Sequence, residues 1–160
     1  MKKLSYELTY PGATVDQVSE MLGDPAFRQA VFDAQHVLRS KINVFPQGDG
    51  KVVEMEQVQA TKGVPGFARK LVGDETTIVT TETWSSATDA DLAIAIPGKP
   101  GKMQGTIRVA QVGADAVETV DLAITVSVPL VGGKIEGLLV DLMTAGLKKE
   151  NETGRKWLAG

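Results

Sequence analysis

The stretch PLVGGKIEGLLVDLMTAGLKKENETGRKWL, residues 129–158, decides the fold of this chain. Apolar residues before it mostly alternate, but within it they recur every three or four positions, at Val131, Ile135, Leu138, Leu139, Leu142 and Gly146. This spacing predicts an amphipathic helix that continues to Trp157 and Leu158. About 25 residues at 1.5 Å each would make a helix of about 38 Å, long enough to lie across an entire small sheet.

The residues before this helix predict an antiparallel sheet. Residues 3–10 alternate between apolar and polar side chains, which indicates a half-buried strand that ends at Pro11-Gly12. Further strands are predicted at residues 37–45, 51–59, 76–84, 91–96, 103–112 and 116–128. Because most of them are joined by connections of hairpin length, neighbouring strands should run antiparallel. A short helical turn is predicted at residues 67–71, inside an otherwise irregular segment.

Two short helices are predicted directly after the first strand. Thr14 or Asp16 can cap a helix that ends near Met21, and Asp24-Pro25 can begin a second one. The order is then one strand, two short helices, about six strands and one long helix. A sheet of six or seven twisted strands curls, and only the last helix is large enough to cover its concave face. The sequence therefore predicts an α+β grip in which a curved antiparallel sheet wraps around the long C-terminal helix, as one domain over residues 1–160.

The chain resembles the START-like superfamily, which is also called the helix-grip or SRPBCC fold. The order of elements matches over the full length, and five segments are similar to a bacterial family of uncharacterised proteins within it: residues 67–73, 83–84, 96–100, 128–136 and 157–159. The resemblance implies a deep hydrophobic cavity between sheet and helix, which in related families holds lipids, sterols, polyketides or other apolar molecules. It implies no catalytic residue.

Composition excludes several classes of function. The chain has 160 residues with a formal net charge of -3, so it is a poor candidate for nucleic-acid binding. Without cysteine and with a single histidine, thiolate nucleophiles, disulfides and two-histidine metal sites are excluded, and we expect no metal or cofactor. No apolar run has the length of a membrane span or an export signal, so we expect a cytoplasmic protein without stable membrane insertion.

These observations predict a non-catalytic binding protein for a small hydrophobic, lipid- or polyketide-like molecule. Only 5% of the residues are aromatic, and a sheet lined by small side chains tends to leave a cavity that invites a ligand. Access is expected at the Gly- and Pro-rich segments 61–74 and 97–102. The predicted cavity wall consists of Tyr6, Tyr10, Trp84, Ile94, Ile107, Ile135, Leu138, Leu139 and Leu142.

Two other functions remain open at the level of sequence. A cyclase- or hydratase-type enzyme could act in the same cavity, with His36, Glu82, Tyr6 and Arg108 as the pool of polar groups. Glu82 shares its strand face with Ile78 and Trp84, whereas Glu54, Glu56, Glu118 and Asp121 are expected on the solvent face. The third possibility is a homodimeric interaction module.

Gly132-Gly133-Lys134 lacks the spacing of a phosphate-binding loop, and we interpret it as a glycine-containing corner at the start of the helix.

Overall fold

A computed structural model describes all residues, 1–160, as one curved seven-stranded sheet with four helices. The predicted α+β helix-grip fold is confirmed. The strands are Lys2–Tyr10 (β1), Arg39–Gln47 (β2), Gly50–Ala60 (β3), Glu75–Trp84 (β4), Asp89–Ala95 (β5), Lys102–Val112 (β6) and Asp115–Thr125 (β7). The helices are Val15–Leu22 (α1), Pro25–Ala34 (α2), Gly66–Val72 (α3) and Gly132–Leu158 (α4).

The sheet has the order β1-β7-β6-β5-β4-β3-β2, and every neighbouring pair is antiparallel. Helices α1 and α2 connect β1 at one edge to β2 at the other. Antiparallel pairing places the connections alternately at two ends of the sheet. The α3 end comprises residues 1–3, 36–39, 60–75, 96–102 and 126–136. The opposite, α1 end comprises the remaining turns, helix α1 and the C-terminal half of α4.

Local capping explains where the two short helices begin. The Thr14 Oγ1 accepts from the Gln17 backbone N–H at 3.2 Å, and the Gln17 side chain accepts from the Thr14 N–H at 2.9 Å. This reciprocal pair satisfies two N–H groups that the first turn of α1 leaves unbonded. Asp24 caps α2 by accepting from Ala26 N–H at 2.9 Å, and Pro25 occupies the first helical position.

The last strand is shorter than predicted and ends at Thr125 rather than at residue 128. Its partner β6 begins at Lys102, which lies opposite Thr125, so the residues that follow have no strand beside them. The backbone N–H of Val126 instead donates to the Glu136 carboxylate at 2.9 Å, which also pairs with the N-terminal ammonium at 3.1 Å. These contacts fix the corner between β7 and α4.

Helix α4 packs against β1, β7 and α2. Its inward face contains the buried Ile135 and Leu147, and between them Leu139 and Met143, which are half-buried against the core. The helix is therefore rotated from the predicted stripe. Leu142 is 48% exposed. Consecutive residues of an α-helix point about 100° apart, so Leu142 faces solvent when Met143 faces the core.

Gly154 permits the close approach of α4 to β1. A Cβ atom at this position would lie 2.6 Å from Tyr10 Cε1 and 3.2 Å from the Met21 methyl carbon, and Tyr10 is itself fully buried. Neither neighbour has room to retreat within a close-packed core. The helix tolerates glycine here because the residue lies within a packed interface rather than on the surface.

We expect Gly154→Ala to destabilise the fold by about 1–3 kcal/mol, since overpacking forces neighbouring side chains to move. Gly137→Ala is the matched control, because its Cβ would meet only the end of the flexible Lys2 side chain. Alanine there should stabilise the helix by as much as about 1 kcal/mol. Urea denaturation of both variants measures the difference, and a stabilised Gly154→Ala would contradict this account of the packing.

Candidate functional site

The inner face of the sheet holds most of the predicted wall residues. Tyr10, Trp84, Ile94, Ile107 and Ile135 are buried, and Tyr6 and Leu139 are half-buried against the same core. Leu138 and Leu142 lie elsewhere on α4: the first is half-buried beside a surface depression, and the second is exposed. Seven of the nine predicted side chains therefore face the interior.

Burial along the inner face changes from one end of the sheet to the other. On β1, Leu8 and Tyr10 are buried whereas Leu4 and Tyr6 are half-buried. The same gradient occurs on β4, where Trp84 and Glu82 are buried but Ile78 and Thr76 are only partly covered, and on α4 from Leu147 to Leu139. Cover therefore decreases toward the α3 end on β1, on β4 and in the middle of α4, whereas Ile94, Met103, Ile124 and Ile135 at the same end are buried. The interior is therefore packed closed at the α1 end, and at the α3 end it is less covered only beside β1, β4 and the middle of α4.

A depression of about 620 Å³ lies at the α3 end, between the start of β1, helix α3 and the first half of α4. Its lining is mixed, with three lysines and one carboxylate around apolar and glycine positions: Lys2, Lys3, Phe67, Lys134, Gly137, Leu138, Val140 and Asp141. Val140 also packs against the core, so it separates this depression from the interior. The volume is within the range of small-molecule sites, about 300–1,000 Å³.

Polar groups line the inner face at the same end. The Thr76 Oγ1 is buried and has no hydrogen-bond partner. Gln59 lies directly opposite Thr76 on β3, and its side-chain amide donates to that of Gln57, which is also part-buried. A buried hydroxyl without a partner is uncommon in folded proteins. This corner of the interior therefore offers polar atoms among the surrounding apolar side chains.

The closed end of the interior contains a buried ion pair. The Arg28 Nη2 on α2 donates to Glu82 Oε1 on β4 at 2.6 Å, and both side chains are 4% exposed. The Arg28 Nε also donates to the Leu22 carbonyl at 2.8 Å, and Nη1 lies 3.8 Å from Glu150 Oε1 on α4. One guanidinium on α2 thus joins α1, α4 and the sheet. Its fixed fork of donors makes arginine suited to bonding several acceptors at once.

Trp84 completes the environment of Glu82. The Trp84 indole N–H donates to Glu82 Oε1 at 3.0 Å, so that this oxygen accepts from two donors. The Lys51 ammonium lies 4.7 Å from the centroid of the Trp84 ring, a cation–π distance. Burial is the main cause that lowers the pKa of Lys51, and the nearby Arg28 lowers it further.

Two further carboxyl groups share this end. Burial raises the pKa of Glu118 well above its usual range, and the nearby Glu150 raises it more. Tyr10 donates to Glu118 Oε1 at 3.3 Å, and burial raises the pKa of the phenol as well. Burial also raises the pKa of Glu150 to about 7, against the attraction of Arg28. The cluster therefore holds protons on carboxyl groups at a pH where exposed carboxylates are ionised.

Sequence reasoning identified Glu82 in this cluster but missed three other members. Glu118 shares its strand face with Val120 and Leu122, so the alternation that placed Glu82 inside could have placed Glu118 there too. Its expected position on the solvent face was wrong. No sequence signal marks Arg28 or Glu150, because each becomes buried only when the two helices meet.

The polar groups considered for an enzyme do not converge. His36 and Arg108 are exposed, and Arg108 pairs with Asp89 at 3.2 Å on the surface. Tyr6 is half-buried, and Glu82 is fully engaged with Arg28 and Trp84.

No group of three or more His, Asp or Glu side chains is arranged to hold a metal ion. No helix contains a stretch long and apolar enough to cross a membrane.

The geometry agrees with what comparison with known proteins shows. Residues 5–158 match the family described as "Protein of unknown function (DUF2505)", and the chain belongs to that family. No curated protein sequence matches the chain. The fold is that of the START superfamily: a START superfamily protein from Mycobacterium smegmatis is similar with a TM-score of 0.66 and 14% identity, over 98% of both chains.

Two solved enzymes of biosynthesis share the fold. Norcoclaurine synthase from Thalictrum flavum has a TM-score of 0.60 and 17% identity, with 99% of this chain and 86% of that one covered. The di-domain aromatase/cyclase StfQ of the steffimycin biosynthetic pathway has a TM-score of 0.64 and 11% identity. That match covers 96% of this chain and 50% of StfQ. At these identities the likeness concerns the fold alone.

We expect Arg28→Met to destabilise the protein by about 3–5 kcal/mol, because it leaves Glu82 buried without its cation. Arg39→Met is the control, since Arg39 forms an exposed pair with Glu75 at 2.8 Å. Its loss should be several-fold smaller, because solvent screens an exposed pair. Denaturation midpoints at neutral pH measure both, and equal losses would show that the buried pair has no special role.

Glu150 should make stability depend on pH. Its carboxyl has a pKa of about 7 in the folded protein, against about 4.3 for an unperturbed glutamate. Between these values the folded state keeps a proton that the unfolded state releases, so the free energy of unfolding falls as pH rises. Relative to Glu150→Gln, the wild type should lose about 3 kcal/mol between pH 4.5 and pH 8. Parallel stability profiles for the two proteins would contradict this.

Proposed function

We propose that the protein binds a small, largely apolar molecule of the lipid or polyketide kind between the sheet and α4, without changing it chemically. The observation that carries the proposal is the reduced burial of the inner face at the α3 end beside β1, β4 and the middle of α4. Apolar side chains on three elements are only half-buried there, and a ligand that covered them would gain about 25 cal/mol for each Å² removed from water.

The depression beside α3 gives such a ligand a route. It reaches Val140, which also packs against the core, so a modest shift of this side chain would connect the depression to the interior. Beyond it lie Leu139 and Met143 on α4 and Tyr6 on β1. Segment 60–75, which contains α3, forms the other wall. A loop-borne helix of seven residues is a suitable part to move when a ligand enters.

A polar atom on the ligand would find a partner at Thr76. The Oγ1 of this residue is buried and unbonded, and binding sites typically combine an apolar lining with a few well-placed polar groups. Gln57 and Gln59 on the adjacent strand add an amide donor and acceptor. These groups favour a ligand with one hydroxyl or carbonyl on an apolar skeleton rather than a pure hydrocarbon.

The charged cluster at the α1 end serves the scaffold in this proposal. Its groups are bonded to one another and lie at the closed end, where Tyr10, Trp84 and Gly154 are fully packed. The cluster anchors α4 and α2 to the sheet at that end.

The test uses two neighbouring residues of α4 with opposite orientations. Met143→Trp should fill the interior, whereas Leu142→Trp adds the same side chain to the exposed side. With the fluorescent apolar probe Nile red, we expect Met143→Trp to weaken binding at least about tenfold, the equivalent of 1.4 kcal/mol, and Leu142→Trp to leave it unchanged.

Native mass spectrometry of the purified protein gives an independent measurement of the same site. A reproducible mass above the 17.0 kDa chain, lost on extraction with organic solvent, would support the proposal and give the chemical class of the ligand. Equal probe binding by both tryptophan variants would overturn the assignment of the interior as the binding site.

A further inference from the structure

Charge is distributed very unevenly between the two ends of the molecule. The α3 end contains nine of the 17 lysines and arginines but only three of the 20 carboxylates. Its formal charge is therefore +6, and that of the remaining residues is -9, which together give the chain's net -3. An acidic protein thus presents one strongly basic end, which whole-chain composition conceals.

The carboxylates of this end are already paired. Asp74 pairs with Arg69 at 3.2 Å, Glu75 with Arg39 at 2.8 Å, and Glu136 with the N-terminal ammonium at 3.1 Å. The seven lysines of the α3 end are exposed, and none of them forms an ion pair. They come from four separate segments, so no single turn or helix accounts for their grouping.

Exposed apolar side chains accompany these lysines. Leu130 is fully exposed, Met1 is 72% exposed, Leu38 is 48% exposed and Phe67 is 39% exposed. They account for half of the large hydrophobic residues that the molecule exposes. Each comes from a different segment of the α3 end, and Phe67 lines the same depression as Lys2, Lys3 and Lys134.

Leu130 is the most informative of the four. Its φ of 70° is in the left-handed region, where a leucine is strained and glycine is not. The side chain contacts solvent alone, so it contributes nothing to packing that would offset this strain. No contact within the molecule therefore explains a leucine side chain at this position. The observation points to a role outside the molecule.

We propose that the α3 end docks on the surface of an anionic lipid bilayer. Lysines near such a surface each contribute about 1 kcal/mol of attraction. Apolar side chains on separate loops can enter the interfacial region one by one, which a fluid surface allows and a rigid acidic partner does not. The docked orientation places the depression beside α3 against the bilayer. This proposal goes beyond ligand binding and does not depend on it.

The first test is sedimentation of the protein with phosphatidylcholine vesicles, with and without phosphatidylglycerol as roughly a third of the lipid. No ligand is added, so the outcome is independent of the proposed binding function. We expect binding to the anionic vesicles alone, and its loss at about 1 M salt, where the Debye length is about 3 Å. Equal binding to both kinds of vesicle, or to neither, would overturn the proposal.

Two double variants test whether vesicle binding depends on the lysines of the α3 end or on the net charge of the whole protein. Lys3→Ser with Lys134→Ser should weaken partition onto anionic vesicles about 25-fold, or about fivefold for each lysine. The control is Lys148→Ser with Lys156→Ser, which removes the same charge from exposed positions on the other half of α4. If the control loses as much binding, the attraction is nonspecific and the α3 end is not the docking surface.

Leu130→Gly tests the apolar contribution without endangering the fold. Glycine relieves the positive φ, so thermal stability should stay the same or increase, while vesicle binding should fall at least about threefold. Unchanged vesicle binding would overturn docking on a bilayer and leave a general polyanion site in its place. A loss of stability in this variant would assign Leu130 a structural role and would also contradict the proposal.

Discussion

The ion pair between Arg28 and Glu82 is the constraint on which the closed end of the molecule depends. It connects α2 to the middle of the sheet, and through Glu150 it connects both to α4. A charge buried this deeply is costly unless its partners are present, so these three elements must assemble together. Only when they do does the guanidinium have both carboxylates beside it. The pair therefore specifies where the two helices lie more than it adds net stability.

The excess of carboxyl groups around Arg28 has a second effect. One guanidinium cannot neutralise Glu82, Glu118 and Glu150 together, and burial resolves this by keeping Glu118 and, below about pH 7, Glu150 protonated. Tyr10 contributes its hydroxyl to Glu118 and its ring to the surface on which Gly154 packs. The strongest packing and the strongest electrostatic coupling thus occur in the same place. The α3 end has no such buried cluster, and the inner face is less covered there on β1 and β4.

Much of the architecture follows from local sequence. The alternation in β1, the capping residues Thr14 and Asp24, and the long apolar repeat of α4 each predict their element because each depends on near neighbours. The rotation of α4 does not follow, since several helical faces of residues 132–158 are apolar enough to be buried. Contacts with β1 and α2 select the face through Leu139 and Met143, and leave Leu142 outside. Glu118 could have been placed by strand parity, whereas Arg28 and Glu150 depend on how helices meet.

The pairing of β1 with β7 affects how this chain can fold. Residues 2–10 are synthesised more than 100 residues before the strand at 115–125 with which they pair, and the helix that covers them follows later still. Such a topology has a high contact order. The chain must lose the entropy of closing a long loop before the stabilising contacts form, so folding is slow. Until then the edge of β7 is a free template for another strand. The β7 edge is therefore protected from aggregation only after two strands more than 100 residues apart in the chain have paired.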